Sequence, residues 1–96
     1  MTDQNALLIV HNLAEKRFEV EVEGSLAVLD YDLSNGVITF THTGVPSAIE
    51  GRGIAGKLVQ RGLNYAREEG LKVIPACSYV VRYIERHPEY QDLTTI

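Results

Sequence analysis

The residues of this chain with chemistry within reach are a glycine-rich stretch flanked by cations, one thiol and a strand histidine. The stretch Glu50-Gly51-Arg52-Gly53-Ile54-Ala55-Gly56-Lys57 is the densest signal. It opens a run with helical spacing, and a helix start leaves backbone N–H groups unpaired at the positive end of the helix dipole. Such an end attracts phosphates. Glycines let a bulky pyrophosphate approach the backbone, and Arg52 and Lys57 would add positive charge. The plain alternative is a turn between strand and helix with no ligand. Three glycines between positions 51 and 56 cost helix propensity, however, and that cost argues for a functional reason. Two nucleotide-binding rivals fit less well. The stretch follows a hairpin and does not spell the dinucleotide fingerprint, and Lys57 is followed by Leu58 where a Walker loop needs Ser or Thr.

Cys77 stands where a short apolar run passes into a second helical pattern. A thiol at a helix N-terminus can have a lowered pKa and act as a nucleophile, although a lone cysteine more often serves as a small buried hydrophobe. His42 lies on the strand before the glycine-rich turn, so it could face the same cleft as Cys77; a half-buried strand histidine bonded to a carbonyl is the structural alternative. His11 and His87 stand far from it and from each other, and no metal-ligand spacing links the three. Tyr79 and Tyr83 are one helical turn apart. Packing on the sheet with Val80 and Ile84 is the plainer reading, and contact with an adenine or a pantetheine arm is the functional one. Arg82, Glu85 and Arg86 read as a solvated face.

The elements that must position these groups follow from periodicity. Phe18, Val20 and Val22 alternate with Glu19, Glu21 and Glu23, the pattern of a strand with one buried face. Leu26 to Leu33 and Val37 to Thr43 continue the β character, and Asn35-Gly36 between them predicts a hairpin. Leu7 to Val10 is expected as the first strand. After Pro46 the period changes to 3.6, with Ile54, Ala55, Leu58, Val59, Gly62, Leu63 and Ala66 on one stripe. That helix should end at Gly70. A strand over Leu71 to Ala76 should follow, paired in parallel with the strand before the helix. A second helix, capped by Ser78 and stopped before Pro88, completes the order. The expected fold is α+β: one domain over residues 1–96, with a mainly antiparallel sheet and two packed helices.

Ninety-six residues suffice for one core and not for two. A net charge of −4 lacks the basic footprint of a general nucleic-acid binder. One cysteine permits no internal disulfide and fits a reducing, cytoplasmic setting. The N-terminal stretch MTDQNALLIV has neither the basic start of a signal peptide nor the length of a membrane span. Exposed strand edges leave room for a homodimer.

Four segments taken together carry more than any one motif: His42-Thr43-Gly44-Val45-Pro46, Glu50-Gly51-Arg52-Gly53-Ile54-Ala55, Val73-Ile74-Pro75-Ala76-Cys77-Ser78-Tyr79-Val80, and Arg86-His87-Pro88-Glu89-Tyr90. In this order and spacing the chain resembles the small YjdJ-type GNAT-like N-acetyltransferases over almost its whole length. The resemblance implies a truncated GNAT fold, acetyl-coenzyme A (acetyl-CoA) as cofactor and an amine as acceptor. The superfamily's phosphate turn reads Gln/Arg-x-x-Gly-x-Gly/Ala. Glu50 takes its first position here, and Gly53 and Ala55 match the fourth and sixth. The resemblance thus implies that backbone N–H groups from Gly51 through Arg52, Gly53, Ile54 and Ala55 to Gly56 hold the pyrophosphate, aided by Lys57. It implies that Thr43, Gly44 and Val45 pair with the pantetheine amides and that Cys77 lies beside the acetyl group; with the positions read above, Tyr83 is expected to touch the cofactor, and Cys77 and His42 are the catalytic candidates. Two departures stand out. Relatives often carry Glu where this chain has Gly44, and Cys-Pro-Phe where it has Cys77-Ser78-Tyr79. An acyl-CoA-binding module with little turnover is the competing reading.

Overall fold

The fold was obtained as a computed structural model that describes residues 7–94. Five strands form one sheet in the order β1-β2-β3-β4-β5, where β1 is Val10–Asn12, β2 Arg17–Val22, β3 Ser25–Ser34, β4 Val37–Gly44 and β5 Lys72–Pro75. The first four pair antiparallel, and β5 pairs in parallel with β4 after the crossover through helix α1, Ile54–Glu68. Helix α2 spans Ser78–Arg86, and short 3-10 turns occupy Ser47–Ile49 and Pro88–Thr94. The expected α+β architecture is the observed one.

Local chemistry sets the turns. Asn35 and Gly36 both have positive φ, 52° and 78°, as the tight β3–β4 hairpin requires. Glu23 and Gly24 do the same between β2 and β3, at 52° and 80°, a turn that alternation alone did not mark. At the end of α1, the Gly70 N–H donates to the Arg67 carbonyl and the Leu71 N–H to the Ala66 carbonyl. This paired closure depends on the left-handed φ of Gly70, 69°, and satisfies carbonyls the helix leaves open.

Two expected boundaries move. The first strand begins at Val10, where pairing with Glu19 starts, so Leu7 and Ile9 lie before it and only pack against the core. The first six residues of the N-terminal stretch lie outside those described. Cys77, with extended φ and ψ, is the N-cap of α2, and Ser78 is already its first helical residue.

Both helices cover the same face of the sheet. Ile54, Leu58, Val59, Gly62, Leu63 and Ala66 of α1 are buried, and Val80 and Ile84 of α2 join the same core as Phe18, Leu29, Ile38, Phe40 and Val73. α1 lies close to the strands at Gly62, where a Cβ would come within 2.8 Å of Leu29 and 2.9 Å of Phe40. The opposite face carries Arg17, Glu19, Val28, Asp30 and Thr39, and among the described residues no helix covers it.

Candidate active site

The glycine-rich stretch forms a turn first and a helix only from Ile54. Gly51 and Gly53 have left-handed φ of 79° and 74°, which explains glycine at both places without any ligand. The propensity cost read from the sequence therefore applies inside the helix only to Gly56. Nothing lies within 4 Å of a Cβ built on Gly51 or Gly53, so their backbone faces open space. The first helical bond runs from the Lys57 N–H to the Gly53 carbonyl, leaving the N–H groups of Ile54, Ala55 and Gly56 as open donors. Val45, Ile49, Glu50, Gly51, Gly53, Ile54, Ala55 and Tyr79 line a cleft of about 280 Å³ there. Its bare backbone, open donors and apolar flank suit a phosphate-bearing ligand with an extended arm.

The flanking cations are not in this cleft. Arg52 makes a double hydrogen bond to the Glu23 carboxylate, at 2.7 and 3.1 Å, and so braces the turn against the β2–β3 hairpin. Lys57 lines a separate groove on the far side of α1 with Leu7, Ile9, Gln60, Arg61 and Asn64. The positive character of the cleft comes from backbone donors.

A β-bulge decides what β4 presents. Tyr31 pairs with Phe40 and Asp30 with His42, so Thr41 is the extra residue. Beyond it the alternation inverts. Thr43 pairs with buried Leu29 and turns to the helix side, while His42 and Gly44 turn to the bare face. His42 is exposed and lies over Gly44, its Nε2 2.9 Å from where a Gly44 Cβ would stand. The expectation that His42 and Cys77 face one cleft is therefore corrected: they approach the end of β4 from opposite sides, because the bulge shifts the parity by one.

Thr43 meets Cys77 instead, Oγ1 to Sγ at 3.5 Å. The contact spans the gap that opens where the β4–β5 ladder stops, after the Ala76 N–H donates to the Phe40 carbonyl. Burial alone would push the thiol up. The Thr43 hydroxyl, the N–H groups of Val80 and Tyr79 and the Thr43 backbone outweigh it and hold Cys77 below the ordinary thiol value. No side-chain bond caps α2, so its first-turn donors remain available to a thiolate. The parity change that selects Thr43 leaves no trace in the hydrophobic pattern, since Thr41, His42 and Thr43 are all polar.

Helix α2 turns a second stripe toward the turn. Tyr79, expected to pack on the sheet, is 41% exposed; its hydroxyl lies 3.5 Å and the Tyr83 ring 3.8 Å from a Cβ built on Gly56. Val80 and Ile84 take the core positions, so the side 79/83 falls beside the start of α1. Tyr83 stacks on His87 with centroids 3.9 Å apart, and His87 Nδ1 donates to the Tyr83 carbonyl at 2.8 Å.

A phosphate-suited turn at the start of the crossover helix, followed by a gap between two parallel strands, is the frame of an acetyltransferase fold. Residues 17–93 match the GCN5-related N-acetyl-transferase family, and the chain belongs to it. It is 31% identical to Protein NATD1 of Xenopus tropicalis over 92% of its own length and 84% of the relative's. Against Protein NATD1 of Homo sapiens the identity is 34%, over 83% of this chain and 74% of that protein. Among solved structures, a GCN5-like protein of Staphylococcus aureus, proposed as an N-acetyltransferase and determined by NMR, superposes with a TM-score of 0.72 and 33% identity, covering 95% of this chain and 89% of that one.

Proposed function

We propose that this chain binds acetyl-CoA at the Gly51–Gly56 turn and transfers the acetyl group to an amine. The observation that carries the reading is the line from the bare turn, along the cleft beside Val45 and Tyr79, to the strand gap where Thr43 and Cys77 meet. The N–H groups of Ile54, Ala55 and Gly56 would hold the pyrophosphate. The backbone from Thr43 to Val45, past the end of the β4–β5 ladder, would pair with the pantetheine amides. The bound donor supplies an activated thioester.

Cys77, once deprotonated, would accept the acetyl group. A bond would form from Sγ to the carbonyl carbon, the donor's carbon–sulfur bond would break, and the released thiolate would take a proton from solvent. An amine would then attack the acetyl carbon and release Sγ, which takes up the amine's proton. In the direct route the amine attacks the donor itself. An amine entering from the bare face meets His42, which is the proton acceptor at that mouth of the gap.

Gly44 favours a second reading. Without a carboxylate at position 44, His42, with Asp30 across from it on β3, is the base left beside this mouth, and a binding module with little turnover would need none. A thermal-shift titration with acetyl-CoA, followed by intact mass measurement, separates these readings. A ligand specific for the native state at a hundredfold excess over its Kd adds about 2.7 kcal/mol. A shift with an added acetyl mass that vanishes in Cys77→Ala supports the thiol route. A shift without that mass, and with acetylated amine formed, supports direct transfer. A shift with neither leaves the binding module, and no shift at saturating ligand removes the cofactor reading.

A further inference from the structure

Tyr79, Arg82, Tyr83 and Arg86 occur at i, i+3, i+4 and i+7, which makes them one stripe of α2. With His87 they line a second cleft of about 250 Å³. The sequence pattern marks Arg82 and Arg86 only as solvated charges, but the fold gives them a direction. Tyr79 lines both this cleft and the one at the glycine turn, so the two are neighbours across a single ring. Neither arginine forms an ion pair or side-chain hydrogen bond among the described residues, whereas Arg17, Arg52 and Arg67 all do. Arg86 alone could be explained by the negative end of α2. Arg82 sits mid-helix, away from that end, so the dipole does not explain its place beside Tyr79.

We infer that Arg82 and Arg86 form a subsite for a second phosphate, the 3′-phosphate on the ribose of the coenzyme's nucleotide end. This rests on the cofactor reading above. With the pyrophosphate at the turn, the nucleotide must leave the first cleft, and the only aromatic wall of that cleft, Tyr79, leads to the arginines. Two guanidinium forks that keep their donors unengaged suit a dianionic phosphate. Tyr79 offers a ring for the base, and Tyr83, stacked on His87, lines the same cleft. The chain thereby reads the phosphate that distinguishes coenzyme A from its dephospho form.

The test compares the affinities of coenzyme A and 3′-dephospho-coenzyme A by calorimetry, in the wild type and in Arg82→Gln/Arg86→Gln. The wild type should prefer coenzyme A by about tenfold, a value set by two charge-assisted contacts at an exposed site. The double variant should lose that preference through weaker coenzyme A binding only, with dephospho-coenzyme A affinity and Tm held. Equal wild-type affinity for the two ligands overturns the subsite while leaving the turn as the cofactor site, and so does a preference that survives in the variant. A wild type that binds neither ligand overturns the cofactor reading and the subsite together.

Discussion

Thr43 Oγ1 lies 3.5 Å from Cys77 Sγ, across the gap between two strands that have stopped pairing. This hydroxyl is the largest of the influences that lower the thiol's pKa against its burial. Thr43→Val keeps the side-chain shape and removes the donor. The rate of Cys77 alkylation against pH should then move its midpoint upward, and the rate at pH 7 should fall by about two- to tenfold, the loss expected for one hydrogen bond of ordinary strength. A profile unchanged from wild type would show that the backbone groups of Val80, Tyr79 and Thr43 set the thiol without the hydroxyl.

His42 and Gly44 point to the other side. A Cβ at 44 would meet the end of the flexible His42 ring before anything else, with Val28 next at 3.6 Å. Gly44 also lacks the positive φ that would penalise a side chain. Gly44→Glu should fold with little loss, displace the His42 ring and place a carboxylate at the bare-face mouth of the gap. Acetyl transfer to a panel of amines should rise about a hundredfold or more if proton removal limits it, the low end for a positioned base. An unchanged rate with an intact Tm would show that proton removal at this mouth is not limiting.

Period and turn chemistry carried most of the fold. The β3–β4 hairpin, the apolar stripe of α1 and its end at Gly70 depend on local spacing and local φ, which residue types report directly. The site was less legible because its arrangement depends on non-local contacts. The Thr41 bulge reverses the facing of His42 and Thr43, and a bulge among polar residues breaks no hydrophobic alternation. Arg52 pairs with Glu23 of the β2–β3 turn and Lys57 lines a different groove, so a motif that places them beside the glycines overcounts the charge at the turn. Tyr79 could be located only once Val80 and Ile84 had claimed the core side of α2.

The turn itself can be probed by a charge change at constant backbone. Gly53 has φ 74°, a conformation that Asn and Asp tolerate about equally well. Gly53→Asp should weaken acetyl-CoA binding by about tenfold or more relative to Gly53→Asn, because only the former sets an anion against the pyrophosphate. Isothermal titration of the two variants measures this. Equal affinity would remove the turn from the site.

Gly62 tests packing and not chemistry. A methyl there would press on Leu29 and on the ring edge of Phe40, both fully buried, at 2.8 and 2.9 Å. Overpacking of this kind costs about 1–3 kcal/mol, while Ala in place of a helical Gly recovers at most about 1 kcal/mol. Gly62→Ala should be destabilised by about 1–2 kcal/mol in urea unfolding, with the m-value retained. A stabilised variant would mean that α1 rides further from the sheet than the structure has it.

His11 couples the first strand to pH. Its ring stacks on Phe18 at 4.1 Å, meets Tyr65 edge-on, and its Nε2 is 2.6 Å from the Tyr31 hydroxyl. Burial first, and then the nearby Arg61 charge, hold its pKa below the ordinary 6.5. The unfolded chain therefore takes up this proton before the folded one does. The stabilising contribution is complete above pH 6.5, falls as pH drops below it, and levels off once the folded pKa is passed. The carboxylates whose pKa values are lowered, Glu19, Glu23 and Asp92, lose their own contributions only at lower pH, from their ordinary 4.5 or 3.8 downward. Unfolding free energy measured between pH 7.5 and pH 5 should thus decline in the wild type. In His11→Phe, which keeps a stacked ring and removes the titration, that decline should shrink to what the lowered Cys77 thiol contributes, although the variant starts about 1 kcal/mol lower because the Tyr31 hydroxyl loses its partner. An equal slope in both proteins would assign the decline to groups other than His11.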